Sequence, residues 1–261
     1  MKRTAVEVDK EAFAQVFHPW LLPGRVYDSS CSAQARVYFL DVEQGFYLKV
    51  AEKGSLQREA TMTAFFAEKG LSAKVLAYES LDKDYLLTEK IPGEDCTHDS
   101  YLSDPVHLCD TTAQLLRQLH ETDPAGCPVP DRTAEYLQTA RCNYEAGRYD
   151  ASLFPDNWGY ASAQEAWKVL EENGKYLKAD TLLHGDYCLP NILLQNWQFS
   201  GFIDVGCGGV GDRHVDLFWG AWTLFFNLKT DRYSDRFLDA YGRDMVQPEL
   251  LRAVAAAEVF G

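Results

Sequence analysis

Apolar positions alternate with polar ones in the first third of the chain and recur at helical spacing over much of the rest. Alternation with a period of two is typical of half-buried strands, and recurrence every three or four residues is typical of amphipathic helices. For the first third the pattern predicts a helix at 9–17, strands at 26–27, 36–40 and 46–50, a helix at 55–69, and strands at 73–78 and 85–89. We therefore expect a small antiparallel sheet with one main helix.

Pro92 and Gly93 interrupt the strand pattern, and helical spacing dominates after them. The predicted later elements are helices at 106–120, 132–147, 162–174, 214–226, 233–241 and 248–260, and strands at 180–183 and 199–203. The break at residue 93 separates an N-terminal lobe, 1–93, from a C-terminal lobe, 94–261. The expected fold class is α+β, with a small sheet-rich lobe and a larger, mainly helical one.

Composition narrows the class of protein. The chain has 261 residues, 46% of them hydrophobic, so it can build a substantial core. No apolar run is long enough to span a membrane, and the N-terminus lacks the apolar stretch of a secretory signal. Seven cysteines form no CxxC pair, which favours reduced thiols and a cytoplasmic location. We expect no membrane partner.

A net charge of −14 bears on binding partners. Such a surface repels phosphate backbones, and no lysine or arginine cluster offsets it, so we expect no nucleic-acid partner. It would attract a cationic small molecule, although acidity for solubility alone is an equally ordinary reason for this charge.

The most informative stretch is 182–204, LLHGDYCLPNILLQNWQFSGFID. Asp186 and Asn191 follow one predicted strand, and Asp204 ends the next, so we expect the three side chains to meet at one end of a small sheet. Phosphoryl transfer needs one carboxylate to orient a hydroxyl, and an Asn and an Asp to hold Mg²⁺ on the phosphates. Taken singly, each residue could equally belong to an ordinary turn.

HGDYCLPN followed by FIDVG resembles the signature of the aminoglycoside phosphotransferases, antibiotic kinases with a protein-kinase-like fold, and is most similar to their 3′-phosphotransferase branch. The resemblance implies that Asp186 is the catalytic residue. It also implies that Asn191 and Asp204 bind Mg²⁺, and that the phosphoryl donor is ATP or GTP. A monomer or weak dimer is expected.

The same resemblance assigns nucleotide-binding residues in the N-terminal lobe. Lys49 would bind the α- and β-phosphates, held by Glu59 from the following helix. Tyr47 shares the face of Lys49 and would stack on the base. Ser32 would contact the β-phosphate, and a hinge formed by Thr88, Lys90 and Ile91 would read the adenine edge through main-chain groups. A solvent-facing lysine and a polar hairpin turn are the alternative readings of Lys49 and of Ser32.

Acceptor-binding residues follow from the resemblance as well. The expected ammonium-binding set is Asp156, Asn157, Asn227, Glu258, Phe260 and the Gly261 carboxylate. The chain departs from the family in three places, where Gly159 and Phe226 replace acids and Cys207 replaces an arginine.

These residues predict an ATP-dependent enzyme that phosphorylates a hydroxyl, at the 3′ position, of an aminoglycoside and so confers resistance. Two alternatives stay open. One is a kinase of another small alcohol, such as a choline-like amine, a sugar or a macrolide. The other is an inactive kinase-like binding module.

Overall fold

The computed structural model describes residues 3–151 and 159–261, and packing divides them into two units. One unit, here called the N-terminal unit, consists of the described residues up to His98 together with Pro190–Cys207. The C-terminal unit consists of the described residues of Asp99–Leu189 and Gly208–Gly261. The mixture of an antiparallel sheet with several helices agrees with the predicted α+β class.

The N-terminal unit is built on a six-stranded sheet in the order β1-β2-β3-β4-β6-β5, with every neighbouring pair antiparallel. Its strands are β1 (Thr4–Ala5), β2 (Arg25–Asp28), β3 (Ala35–Asp41), β4 (Phe46–Glu52), β5 (Val75–Ser80) and β6 (Lys83–Glu89). Along β4, Phe46, Leu48 and Val50 enter the apolar core of this unit, whereas Tyr47 and Lys49 point to the other face. The two helices are α1 (His18–Leu21) and α2 (Gln57–Glu68).

The predicted helix at 9–17 is wrong. Residues Lys10–Ala12 and Gln15–Phe17 form single 3₁₀ turns, and the α-helix begins only at His18. Pro19 lies in the first turn of α1. Proline is tolerated there because the first amides of a helix have no intrahelical acceptor.

A second, three-stranded sheet explains why the units differ from the two predicted lobes. It contains β7 (Glu94–Asp95), β9 (Ile192–Gln195) and β10 (Gln198–Phe202), in the order β10-β9-β7. Gly93 permits this contact, because a Cβ at that position would lie 2.1 Å from the carbonyl oxygen of Leu194. The chain therefore returns to the N-terminal unit at Pro190, and the first segment of this unit runs to His98 instead of ending at 93.

The C-terminal unit is mainly helical. Its helices are α3 (Asp99–Leu102), α4 (Pro105–His120), α5 (Arg132–Glu145), α6 (Ala163–Asn173), α7 (His214–Leu228), α8 (Ser234–Gly242) and α9 (Pro248–Glu258). Side chains of Asp104, Asp131 and Ser162 accept amide hydrogen bonds at the starts of α4, α5 and α6, as helix N-caps do. Residues of α5, α6, α7 and α9 share one hydrophobic core.

The strand β8 (Thr181–Leu183) pairs with β11 (Gly209–Gly211) in the C-terminal unit. We expected 180–183 and 199–203 to flank a loop within one sheet, and this expectation is wrong. The apolar run Ile192–Gln195 forms an additional strand and takes the pairing position beside β10. No helix in the described ranges 3–151 and 159–261 has the length and apolar character needed to cross a membrane.

Candidate active site

Lys49 is the centre of an ion cluster in the N-terminal unit. Its Nζ lies 2.8 Å from both carboxylate oxygens of Glu59 and 2.8 Å from Oδ1 of Asp204. The three residues come from the middle of β4, the first turn of α2 and the segment after β10. The contact between Lys49 and Asp204 was not predicted from the sequence, because the two residues are 155 positions apart.

Burial and charge oppose each other within this cluster. Burial lowers the pKa of the Lys49 ammonium, but the carboxylates of Asp204 and Glu59 outweigh it, and the pKa stands above its ordinary value. Burial raises the pKa of Glu59; Lys49 opposes this rise, Asp204 adds to it, and the pKa ends above its ordinary value. The lysine is thus held as a cation beside two acidic groups.

Asp84 fixes the helix that carries Glu59. Its carboxylate, on β6, accepts hydrogen bonds from the Leu56 amide at 2.8 Å and from the Tyr78 hydroxyl at 3.0 Å. Burial alone would raise the pKa of Asp84. The hydrogen bonds that its carboxylate accepts, first among them one from the Gly54 amide, outweigh burial and lower the pKa to about 2. An ionised carboxylate therefore caps the start of α2, where the helix dipole favours negative charge. Sequence reasoning missed this residue because the cap comes from a distant strand.

Asp204 and Asn191 lie at the same end of the β9–β10 hairpin. Ile192 pairs with Phe202, and the Ile203 amide donates to the Asn191 carbonyl oxygen at 3.0 Å. Asp204 has a left-handed φ of 56°, a conformation that costs a non-glycine residue roughly 1 kcal/mol. Its side chain is half exposed, at 51%. Strain of this kind collects where a side chain must be presented in one direction.

These two residues fit a magnesium site of the kind that kinases use. Among the described residues, no group of three or more His, Cys, Asp or Glu side chains is placed to hold a metal ion. Mg²⁺ does not require such a group, because it is usually held by one or two carboxylates together with substrate phosphates and water. A half-exposed aspartate and the asparagine at the same hairpin end match that small donor set.

Four residues form a row across one face of the large sheet. Tyr27 pairs with Phe39, Phe39 with Tyr47, and Tyr47 with Thr88. The Arg3 guanidinium lies 3.7 Å from the centroid of the Phe39 ring and donates to the Tyr47 hydroxyl at 2.8 Å. The predicted base-stacking residue Tyr47 is therefore part of an aromatic surface.

The three residues of the predicted hinge each contact a different part of the N-terminal unit. Thr88 lies within β6, and the Lys90 amide donates to the Gly45 carbonyl oxygen at 3.2 Å. Ile91 packs on Gly201, where an added Cβ would lie 2.7 Å from its Cδ1. The Lys90 amide is thus engaged by protein.

Ser32 lies exposed in the turn between β2 and β3. The neighbouring Ser30 is more constrained, since its amide donates to Asp28 and its Oγ accepts from the Val37 amide at 2.9 Å. The Ser29 hydroxyl is buried, and it has no hydrogen-bond partner within the ranges 3–151 and 159–261. A buried hydroxyl without a partner is uncommon and marks this turn as functionally constrained.

Asp186 follows a loop that Asp216 holds in place within the C-terminal unit. The buried Asp216 carboxylate accepts from the amides of His184 at 2.7 Å and Gly185 at 2.8 Å. Its Oδ2 also lies 3.1 Å from Nε2 of His120. Because Gly185 has a φ of 83°, the chain can turn sharply just before Asp186.

His120 completes that network. Burial lowers its pKa, and the Asp216 carboxylate only partly opposes this, so the ring is neutral at neutral pH. A neutral ring can donate from Nε2 to Asp216 and accept the Tyr241 hydroxyl at Nδ1, 2.8 Å away. His120 and Asp216 therefore support the backbone that leads to Asp186.

The predicted meeting of Asp186, Asn191 and Asp204 at one end of a small sheet needs correction. Asn191 and Asp204 share a hairpin end in the N-terminal unit, whereas Asp186 follows β8, which pairs with β11 in the C-terminal unit. The chain passes from one unit to the other at Pro190, between Asp186 and Asn191.

Glu258 is the most perturbed of the predicted acceptor-binding residues. It is half-buried, and it accepts from the Tyr136 hydroxyl at 2.7 Å and from Trp219 Nε1 at 3.1 Å. Burial raises its pKa to about 7, and the Asp186 carboxylate contributes to the rise, while both donors oppose it. Tyr136 and Trp219 were not predicted, because packing alone brings them to Glu258.

The other predicted acceptor-binding residues have different surroundings. The Phe260 ring is buried in the core against Tyr144 and Trp167, so it serves packing, and its carbonyl oxygen accepts from Asn143 at 2.6 Å. Gly261 is exposed. Asn227 donates to the carbonyl oxygen of Thr223 within α7, at 2.8 Å. Asp156 and Asn157 lie outside the described residues.

The chain is similar to known phosphotransferases over most of its length. A profile of the Phosphotransferase enzyme family matches residues 30–253. A probable aminoglycoside 3′-phosphotransferase of Lactococcus lactis subsp. lactis (strain IL1403) is 46% identical over 257 residues, which cover 98% of each chain. The solved aminoglycoside 3′-phosphotransferase of type VIII is 28% identical with a TM-score of 0.70, covering 90% of this chain and 91% of that one.

A further solved structure shares the fold at low identity. It is an aminoglycoside phosphotransferase from Streptomyces rimosus ATCC10970 in complex with ADP and streptomycin, with a TM-score of 0.70, 20% identity, and coverage of 98% of this chain and 100% of that one.

The fold and the lysine–glutamate–aspartate cluster define a kinase-like phosphotransferase enzyme, as the matched profile and structures also do. The chain belongs to the phosphotransferase enzyme family, and within it to the aminoglycoside phosphotransferases.

Proposed function

We propose that this enzyme transfers the γ-phosphoryl group of ATP to the 3′-hydroxyl of an aminoglycoside and thereby confers resistance to the drug. The observation that carries the choice of acceptor is the 46% identity, over 98% of both chains, to a probable aminoglycoside 3′-phosphotransferase. The Lys49 cluster and the Asp186 loop support the chemistry, because each supplies a residue type that phosphoryl transfer requires.

On the acceptor side, Asp186 would receive a hydrogen bond from the substrate hydroxyl and accept its proton as the bond to phosphorus forms. Asp216 fixes the backbone before Asp186, so the carboxylate does not have to be oriented during the reaction. Positioned proton transfer typically contributes 10²–10⁴-fold to the rate. The remaining rate would come from positioning and electrostatic stabilisation.

On the donor side, Lys49 would bind the α- and β-phosphates, with Glu59 holding its side chain in the extended position. Asn191 and Asp204 would hold Mg²⁺, which, when bound, neutralises charge on the phosphates. Tyr47 would offer its ring to the base.

The test is release of ADP with ATP and Mg²⁺ over four acceptors: kanamycin, a kanamycin-type drug lacking the 3′-hydroxyl, streptomycin and a macrolide. We expect turnover with kanamycin and none with its 3′-deoxy relative. Turnover of streptomycin or the macrolide without turnover of kanamycin would contradict the proposal and would redirect it to another alcohol.

A further inference from the structure

Arg3 connects two residues of the aromatic surface to which Tyr47 belongs. It directly precedes β1, whose residue Ala5 pairs with Tyr27 of β2. Because successive side chains of an extended chain alternate between faces, Arg3 shares the face of Ala5 and of its partner Tyr27. Phe39 and Tyr47 lie on the same face, since cross-strand partners point the same way. The Arg3 side chain contacts both of these residues.

The Arg3 guanidinium covers the face of one ring and contacts only the edge of the other. Its Cζ lies 3.7 Å from the centroid of Phe39, which is contact distance to the ring face. It lies 5.7 Å from the centroid of Tyr47, while Nη2 donates to the Tyr47 hydroxyl at 2.8 Å. A guanidinium over the face of Tyr47 would lie about as close to that centroid as it does to the centroid of Phe39. Arg3 therefore holds Tyr47 by the hydroxyl end of its ring.

The Tyr47 side chain keeps accessible surface while being held at two points. Phe39 is buried, whereas Tyr47 is only half-buried. The two ring centroids are 5.3 Å apart, with the ring planes tilted by 52°. Phe39 thus supports the Tyr47 ring from one side, and Arg3 holds its hydroxyl. A hydrogen bond at the far end of a tyrosine restricts both side-chain torsions, so the orientation of this ring is fixed.

The surroundings of Arg3 do not match those of a phosphate-binding cation. Arg3 lines a cavity of about 370 Å³ together with the basic Lys90 and the acidic Asp41 and Glu43. The formal charges of these four side chains cancel, so they give a polyphosphate no net attraction. Within the described residues, the guanidinium contacts two aromatic rings and a phenol hydroxyl. These contacts suit a residue that orients an aromatic ring.

We propose that Arg3 is a positioning residue for the nucleotide base. By holding the hydroxyl of Tyr47, it fixes the ring on which the base stacks, and by covering Phe39 it leaves Tyr47 as the stacking partner. A side chain that already has its binding orientation loses less conformational entropy when the ligand binds. This inference rests on the proposed function, in which Tyr47 offers its ring to the base. It gives a role to the residue before β1, which no sequence motif includes.

The experiment measures dissociation constants by calorimetry, in the presence of Mg²⁺, for ADP and for tripolyphosphate, which has phosphates but no base. Arg3→Met keeps a long side chain and removes the donor, so we expect about two- to tenfold weaker binding of ADP, as for the loss of one hydrogen bond. Binding of tripolyphosphate should not change. Arg25→Met is the matched control, because Arg25 is an exposed arginine of β2 in the same sheet. It should leave both dissociation constants unchanged.

Tyr47→Phe separates a positioning role from a general structural one. It keeps the ring and removes the hydroxyl, so it should weaken ADP binding about as much as Arg3→Met does. The double variant should bind ADP as well as either single variant, because both changes remove the same hydrogen bond. Additive losses in the double variant would overturn the inference. Unchanged or tighter ADP binding by Arg3→Met would also overturn it, and so would an equal loss of tripolyphosphate binding.

Kinetics separate this inference from the proposed function. Arg3→Met should raise the KM for ATP in the phosphorylation of kanamycin and leave kcat unchanged, as expected for lost binding that is equal in the ground and transition states. Turnover of kanamycin with the same KM for ATP in wild type and Arg3→Met would support the function and overturn the inference. Coupled losses of ADP affinity in an enzyme that does not phosphorylate kanamycin would support the inference and contradict the proposed function.

Discussion

Each of the two units contains a carboxylate with a strongly shifted pKa, and the two environments shift these pKa values in opposite directions. Asp84, in the N-terminal unit, receives several hydrogen bonds and has a pKa of about 2. Glu258, in the C-terminal unit, receives two, but burial and the nearby Asp186 raise its pKa to about 7. Asp84 is fully buried, whereas Glu258 is half-buried. The hydrogen bonds that Asp84 accepts outweigh the effect of burial on its pKa, and those that Glu258 accepts do not.

This difference teaches how each unit uses its acids. Asp84 stays charged throughout the ordinary pH range and caps the helix that presents Glu59 to Lys49. Glu258 changes charge near neutral pH, in the unit that also contains Asp186. The N-terminal unit therefore keeps a constant charge at the start of α2, whereas the C-terminal unit contains an acid whose charge varies near neutral pH.

Asp186→Ala should cause the largest loss of activity. We expect kcat to fall about 10³-fold, within the range of a positioned proton acceptor, while the dissociation constant of ATP changes little. Steady-state kinetics and calorimetry measure the two quantities. Asp239→Ala, an exposed aspartate of α8 in the same unit, is the control. Near-normal turnover of Asp186→Ala would contradict the mechanism.

Asp216→Ala should cost mainly stability. It leaves the amides of His184 and Gly185 and the ring of His120 without their buried acceptor. Breaking such a buried network typically costs about 3–5 kcal/mol in the free energy of unfolding. Denaturant titration tests this, and Asp216→Asn, which keeps one acceptor oxygen, should lose less. A loss below about 1 kcal/mol would show that Asp216 does not hold the loop.

Glu258→Gln should remove a pH dependence. In the native protein the carboxyl keeps its proton up to pH of about 7, the pKa of Glu258 in this setting, against 4.5 ordinarily. The native state therefore binds the extra proton between these values, and the free energy of unfolding falls as the pH rises from about 4.5 to 7. The total is on the order of 3 kcal/mol.

Unfolding titrations at pH 5 and pH 8 measure that effect. Glu258→Gln should flatten the difference, whereas Glu249→Gln, an exposed glutamate at the start of the same helix, should preserve it. The same slope in wild type and Glu258→Gln would refute the raised pKa. Binding of kanamycin by wild type should also strengthen as Glu258 ionises above pH 7.

Lys49→Met should reduce the efficiency with which the enzyme uses ATP. Loss of a charged hydrogen-bond donor is expected to reduce kcat/KM for ATP about 10- to 100-fold and to leave acceptor affinity almost unchanged. Lys53→Met, an exposed lysine just after β4, should behave like the wild type. Equal losses in affinity for ATP and for kanamycin would contradict the assignment of Lys49 to nucleotide binding alone.

Asp84→Ala should have the smallest effect, a loss of about 1–2 kcal/mol in the free energy of unfolding, as for a removed helix cap. Because the pKa of Asp84 is lowered, this contribution is present above pH 3.8 and is lost as the pH falls towards 2. Thermal unfolding at pH 3 and pH 7 would check it against Asp82→Ala, which alters an exposed neighbour. Identical stability of Asp84→Ala and wild type at pH 7 would remove its role as a cap.

The sequence predicted those features that depend on residues close together along the chain. Alternation along β4 placed Tyr47 and Lys49 on one face, and the family resemblance paired Lys49 with Glu59, which lies in the first turn of α2. The strand β9 escaped because three apolar residues, Ile192 to Leu194, are too few to distinguish a strand from a loop crossing the core.

Contacts between distant segments could not be predicted in the same way. Asp84 reaches α2 across 28 positions, and Tyr136 reaches Glu258 across 122, and neither leaves a periodic signal. Phe260 was assigned to substrate through resemblance, but its ring packs in the core, because the end of the chain is held by Tyr144 and Trp167. Family resemblance located the position and packing decided the role of the side chain.

The central claim is tested most directly by the structure of the product. Kanamycin should be incubated with the enzyme, ATP and Mg²⁺, and the product examined by phosphorus–proton correlation NMR. The account predicts one phosphate whose phosphorus couples to the proton on carbon 3′. A phosphate at another position, or unchanged kanamycin from an enzyme that still binds ATP, would contradict it.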